Sequence, residues 1–168
     1  MARQRSTPHP AARTPRPSRR IHEEGSEKLP ELAVCPDCQA SYRKGRWTWQ
    51  SAPADAYPHI CPACERIASD YPAGVIHLEG GFVAAHRDEL LGLLQNIEER
   101  ERAEHPLKRI MASTDEAAGF AVTVTDAKLA RSFGTALHRA YEGHLELPDT
   151  ADTADNENLV RVRWRRDA

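Results

Sequence analysis

The sequence of 168 residues predicts an α+β protein, in which a small cysteine-rich unit is followed by a sandwich of helices and a sheet. All four cysteines lie between residues 35 and 64, in a stretch with few apolar side chains. From Val75 onward, apolar residues recur with the periods of strands and helices. We therefore divide the chain into a tail at residues 1–30, a cysteine-rich unit at 31–73 and a sandwich domain at 74–168.

The tail at residues 1–30 is basic and rich in proline. It holds seven basic residues, three acidic residues and five prolines, which leaves a net charge of +4 against −6 for residues 31–168. Such a segment buries too little apolar surface to offset the entropy lost on ordering, so we predict that it is disordered. Its arginines either keep the protein soluble or bind phosphate groups of a nucleic acid.

The sandwich domain has two predicted helices. The first runs from His86 to Glu104, with its leucines on one face, and Pro106 ends it. The second is capped by Thr125 or Asp126 and reaches about Glu142, where Gly143 ends it.

Alternating apolar residues predict the strands around these helices. The strands are expected at Val75 to Leu78, Arg109 to Ala112, Phe120 to Val124, Leu145 to Leu147 and Val160 to Trp164, with a turn at Thr114 to Gly119. The resulting order is β-α-β-β-α-β-β. It matches a ferredoxin-like split β-α-β sandwich with an extra strand, both helices covering one face of the sheet.

The cysteines form two C-x-x-C knuckles, which are separated by 22 residues. This spacing is typical of a zinc ribbon, because two tight turns direct four thiolates to the corners of one tetrahedron. We predict one structural zinc ion, held by Cys35, Cys38, Cys61 and Cys64. Rubredoxin-like iron remains an alternative, since thiolate ligands alone do not distinguish the two metals.

Three groups of residues are candidate RNA contacts. Cations that neutralise phosphates and aromatic rings that stack on bases alternate between the knuckles, at Arg43, Lys44, Arg46, Trp47 and Trp49. Further cations lie on the second helix and on the last strand, at Lys128, Arg131, Arg161, Arg163 and Arg165. In the alternative interpretation, the tryptophans cover the metal site and the cations are solvated or form ion pairs, for example with Glu146.

Several functional classes are not expected. The apolar runs are too short for a transmembrane helix, and the N-terminus lacks the apolar stretch of a secretory signal, so we expect a cytoplasmic protein. The sequence contains no phosphate-binding, dinucleotide-binding, zinc-protease or serine-hydrolase motif. We therefore expect no enzymatic activity and no small-molecule substrate.

Six segments resemble a family of small bacterial zinc-ribbon proteins of unassigned role. They are C-P-D-C followed by R-K-G-R-W-T-W, then C-P-A-C-E-R-I, Y-P-A-G-V, E-R-E-R-A-E-H-P-L-K-R-I, L-A-R-S-F-G-T-A-L-H-R-A-Y-E-G and L-V-R-V-R-W, over Val34 to Trp164. That family is distantly similar to the zinc-binding N-terminal region of the nonsense-mediated-decay-protein-3 family, the export and maturation adaptor of the large ribosomal subunit. This chain has a single set of knuckles, whereas the adaptor family has more.

The resemblance implies a non-enzymatic zinc protein that contacts RNA or proteins of a ribosomal particle. Two alternatives remain open at this stage. The first is a protein-protein adaptor with a purely structural zinc site, which the acidic charge of residues 31–168 favours. The second is an iron-containing electron carrier.

Overall fold

The computed structural model describes residues 32–148 and 159–168, and the predicted tail at residues 1–30 lies outside them. The described residues form a mixed α+β structure with two sheets and four helices. The predicted α+β class is therefore confirmed.

The first sheet lies in the cysteine-rich part of the chain and contains four short strands. They are β1 (Ala33–Val34), β2 (Ser41–Arg43), β3 (Arg46–Thr48) and β4 (Tyr57–Pro58), and helix α1 (Pro62–Ser69) follows them. Strands β1, β2 and β3 are antiparallel, and β4 pairs in parallel with β1. Lys44 and Gly45 connect β2 to β3 with φ angles of 49° and 81°, so this hairpin has the two-residue turn that matches the twist of its strands.

The second sheet has five strands in the order β6-β7-β5-β9-β8. Its elements are β5 (Gly74–Glu79), α2 (Gly81–Ala85), α3 (Arg87–Glu104), β6 (Ile110–Glu116), β7 (Gly119–Val124), α4 (Ala127–Tyr141), β8 (His144–Glu146) and β9 (Val160–Arg165). The two long helices match their predicted bounds closely, whereas the short helix α2 was not predicted.

The position of the last strand departs from the predicted topology. Strand β9 lies between β5 and β8 and pairs in parallel with β5, so the ferredoxin-like arrangement is not confirmed. Val162 and Trp164 of β9 are fully buried, whereas β8 is short and Leu145 is its one partly buried residue. The strand with more apolar surface thus takes the inner position, and the short strand forms the edge.

Strand β6 extends beyond its predicted end. Thr114 to Glu116 pair with β7 instead of forming a turn, and the turn consists of Ala117 and Ala118. These β6 residues are exposed at the edge of the sheet, so their side chains show no apolar alternation. Pairing with β7, and not a burial pattern, makes this segment a strand.

One hydrophobic core lies between the five-stranded sheet and helices α3 and α4. Fully buried side chains come from both layers, among them Ile76, Leu78, Phe120, Val122, Val162, Trp164, Leu90, Leu94, Leu129, Phe133 and Leu137. The predicted apolar faces of both helices thus pack on the sheet. A smaller buried cluster surrounds the cysteines and includes Ala40, Trp47 and Ala63.

We expect Gly119→Ala to lower the free energy of unfolding by about 1–3 kcal/mol, because overpacking at a close backbone approach has this cost. A Cβ at Gly119 would lie 1.9 Å from the carbonyl oxygen of Leu78. The matched control is Gly92→Ala in helix α3, where a Cβ meets no atom within 4 Å. This control should stabilise the protein by about 0.5–1 kcal/mol through helix propensity. Urea unfolding measures both changes, and equal midpoints for the two variants would contradict the packing argument.

Candidate metal centre

The four cysteines meet at one point of the structure. Their sulfur atoms all lie within 4.8 Å of one another, and the Sγ atoms of Cys38 and Cys61 are 3.8 Å apart. All four thiols are free, Cys38 is partly exposed, and the other three are buried. The structure therefore brings together the complete set of predicted metal ligands.

Each knuckle is shaped by its own backbone hydrogen bonds. In the first, the N–H of Cys35 donates to the carbonyl of Ala40, and Gln39 adopts a φ of 67°, so the chain turns back sharply after Cys38. In the second, Cys61 caps helix α1, and its sulfur accepts a hydrogen bond from the backbone N–H of Cys64. Pro62 begins the helix, a position that suits proline.

The donor set fits one tetrahedral metal ion. Zn–S bonds of about 2.3 Å in a tetrahedron separate the sulfur atoms by about 3.8 Å. The Cys38–Cys61 separation is 3.8 Å, and the remaining pairs lie within 4.8 Å. Residues Cys35, Cys38, Cys61 and Cys64 would hold the ion. Iron would use the same ligands, so the donor set shows a metal site without fixing the metal.

A buried arginine from the sandwich domain lies against this cluster. Arg109 is 5% exposed, and its Nη1 atom donates to the sulfur of Cys64 at 3.2 Å. Its Nη2 atom lies 3.9 Å from the sulfur of Cys61, and its Nε atom donates to the carbonyl of Pro106. No sequence signal marks this residue, because a single arginine at the start of a predicted strand forms no motif.

The surroundings of the thiols change their pKa values in opposite directions. Burial raises the pKa of the Cys61 and Cys64 thiols above their ordinary value. Burial also disfavours the Cys38 thiolate, but hydrogen bonds from the backbone of Ala40 and from Arg109 outweigh it and lower the pKa of Cys38 to about 7. The chain thus provides electrostatic stabilisation for thiolate at one edge of the cluster.

The two predicted stacking residues lie close to the metal site. Trp47 is 9% exposed and packs in the cysteine cluster, next to His59 and Tyr42. The indole N–H of Trp49 donates to the carbonyl of Arg102 at 2.6 Å, and the Arg109 guanidinium lies 5.8 Å from the centre of its ring. The position of Trp47 agrees with the alternative that it covers the metal site, whereas Trp49 is 38% exposed and lies outside the cysteine cluster.

The candidate cations are placed on three separate elements. At the β2–β3 hairpin, Lys44 and Arg46 are exposed, whereas Arg43 is partly buried and donates to the carbonyl of Ser51. On α4, Lys128 is exposed and Arg131 donates to the carbonyl of Pro148.

The arginines of β9 are exposed, and ion pairs engage Arg163 and Arg165. Arg163 pairs with Glu79 at 3.1 Å, Arg165 pairs with Asp167 at 3.3 Å, and Arg161 is exposed at the start of the strand. Glu146 lies opposite Arg163 in the strand register, but its side chain contacts that of His144 at 3.2 Å and, within the described residues, forms no ion pair with an arginine. The ion pairs of this strand therefore differ in detail from the predicted one.

Comparison of the chain with known protein families, with curated proteins and with solved structures found no match. The cysteine cluster of a zinc-ribbon-like site is thus confirmed by the geometry, whereas no comparison supports the resemblance to the ribosomal export adaptor family. Among the residues that the structure describes, no helix is both long and apolar enough to cross a membrane.

We expect the purified chain to bind one zinc ion, and replacement of any of the four cysteines by alanine to weaken zinc binding. The loss should exceed the roughly 100-fold that removal of an outer partner costs, because a direct ligand is lost. Competition with a chromophoric chelator measures the affinity. His59→Ala is the matched control: His59 stacks on Trp47 but does not belong to the ligand cluster. Retention of zinc by Cys61→Ala, or its loss from His59→Ala, would contradict the ligand assignment.

Proposed function

We propose that this chain is a non-enzymatic zinc protein that contacts RNA through the tip of its β2–β3 hairpin. The metal site supports a structural role, because four protein thiolates fill the tetrahedron and leave no position for a water or a substrate. The ion would fix the knuckles on either side of the hairpin, a role that involves no chemical step.

The charge pattern of the hairpin carries the RNA proposal. Arg43 and Arg46 are directly opposite each other on β2 and β3, and Lys44 forms the turn between them. Like charges placed opposite each other destabilise a pair of strands. A bound phosphate backbone would offset this repulsion, since it neutralises cations and releases counterions.

Three of the other candidate cations are already engaged within the chain, which favours the hairpin as the RNA contact. The guanidinium groups of Arg131, Arg163 and Arg165 bond to groups of the chain itself. Within the described residues, no ion pair or hydrogen bond engages the side chains of Lys44 and Arg46. Residues 31–168 carry a net charge of −6, so an RNA contact on this part of the chain has to be confined to a small patch of positive charge. The exposed hairpin meets this requirement, because Lys44 and Arg46 lie within three residues of each other.

The motif resemblance suggests a ribosomal particle as the RNA partner, in the cytoplasm. Zinc is proposed over iron because the proposed function needs no electron transfer. A colourless protein with one zinc ion per chain supports this choice, whereas a red protein with iron would favour the electron-carrier alternative.

A protein partner is the second candidate, and a specific observation favours it. Seven large apolar side chains are exposed in the described residues, and six of them lie between residues 32 and 71. They are Leu32, Trp49, Tyr57, Ile60, Ile67 and Tyr71. Exposed apolar groups concentrated in one small unit are typical of protein-binding surfaces.

We expect the double variant Lys44→Glu with Arg46→Glu to weaken binding of single-stranded RNA at least 10-fold. Loss of two phosphate contacts should also reduce the slope of log affinity against log salt by about 1.4. Fluorescence anisotropy with a labelled oligonucleotide measures both quantities. The control reverses two exposed cations of α3 and α4 that are not predicted RNA contacts, Arg100→Glu with Arg139→Glu, at the same change in net charge. Equal losses of affinity in both variants would show that RNA binding depends on the net charge of the protein, and not on the hairpin.

In lysate, the tagged protein should sediment with a ribosomal subunit at low salt and leave it at high salt. The hairpin variant should remain at the top of the gradient. Tyr57→Ser, which removes a side chain that is 55% exposed on β4, should still sediment with the subunit. The reverse result, with Tyr57→Ser displaced and the hairpin variant retained, would favour the protein-adaptor function.

A further inference from the structure

Arg109 belongs to the sandwich domain, but its guanidinium contacts the cysteine cluster of the cysteine-rich unit, which we call the ribbon. Its backbone is held on the sandwich side, where its N–H donates to the hydroxyl of Thr125 at 2.9 Å. The residue is 45 positions from Cys64, whose sulfur it contacts. Arg109 therefore connects the two parts of the chain at the metal site.

The charge of the cluster determines whether this contact is favourable. A buried guanidinium without a counter-charge is strongly destabilising. A divalent ion with four thiolates carries a net charge of −2, and it offers sulfur acceptors to the guanidinium. Without the ion, strands of two or three residues are left to hold the four sulfur atoms at this spacing, so the arrangement of acceptors that Arg109 contacts is lost.

Other contacts join the ribbon to the sandwich close to Arg109, and we call this region the junction. The Trp49 ring lies 5.8 Å from the Arg109 guanidinium, and its indole N–H donates to the carbonyl of Arg102 at the end of α3. Leu107, which precedes β6, packs on the cysteine cluster. The buried Arg109–sulfur contact brings a charged group into this junction.

We propose that metal occupancy controls the docking of the sandwich onto the ribbon, through Arg109. The loaded cluster holds the guanidinium, and the Trp49–Arg102 contact forms. Loss of the ion releases Arg109 and opens the junction, while the core of the sandwich stays folded. Arg109 is thus a positioning residue that acts on the metal through its sulfur ligands, and the inference rests on the metal site of the proposed function.

Three tryptophans report separately on the parts involved. Trp47 is buried in the cysteine cluster, Trp49 bonds across the junction, and Trp164 is buried in the sandwich, where its indole N–H donates to the carbonyl of Glu142. In a ¹H–¹⁵N correlation spectrum of the full chain, their three indole signals therefore report on the ribbon, the junction and the sandwich.

The decisive variant is Arg109→Met with zinc bound, compared with Arg131→Met on α4. We expect the Trp49 signal to move in Arg109→Met and the Trp47 and Trp164 signals to remain. Zinc affinity should fall about 10- to 100-fold, the usual effect of losing an outer partner of a ligand. Arg109→Lys should restore part of the affinity, because it keeps the positive charge. With cobalt in place of zinc, the sulfur-to-metal absorption bands should shift in Arg109→Met and not in Arg131→Met.

Chelation of the wild-type protein should move the Trp47 and Trp49 signals and leave Trp164 unchanged. An unmoved Trp49 signal in zinc-loaded Arg109→Met, with wild-type affinity, would overturn the inference. Movement of all three signals in that variant would also overturn it, since Arg109 would then be a general folding residue. If the wild-type chain binds no metal, the proposed function itself fails, and the two failures are distinguishable.

Discussion

The convergence of four cysteine sulfurs within 4.8 Å is the constraint on which the ribbon depends. Its strands are two or three residues long, and the buried cluster around the cysteines contains little besides Ala40, Trp47 and Ala63. A core of this size contributes too little burial to stabilise such a unit. A metal ion held by the four thiols would supply the missing stability, because its binding free energy becomes folding free energy.

The sandwich domain follows a different physical rule. Its sheet and two long helices bury a continuous apolar core, in which Phe120, Phe133 and Trp164 are the largest side chains. The two parts therefore differ in their cores: the sandwich has a continuous apolar core, and the cysteine-rich unit has a small cluster around four cysteines that could hold a metal ion. Arg109 joins them, since its backbone belongs to the sandwich and its guanidinium to the cluster.

The distribution of charge limits what the molecule can bind. Most of the candidate cations on α4 and β9 bond to neighbouring groups of the chain, and the exposed cations of the hairpin lie at a two-residue turn. The exposed apolar side chains are concentrated in the same ribbon. The cysteine-rich unit thus combines a candidate metal site with most of the exposed large apolar side chains of the described residues.

The sequence by itself determined the four cysteines of the candidate metal site, the α+β class and the bounds of the two long helices. These features are encoded locally, in the C-x-x-C spacing and in apolar periods over adjacent residues. The tertiary structure alone decided that β9 lies between β5 and β8, that Trp49 bonds to Arg102, and that Arg109 enters the cysteine cluster. Each of these features depends on residues far apart in the chain. A local sequence pattern does not specify which distant side chains come into contact when apolar surface is buried.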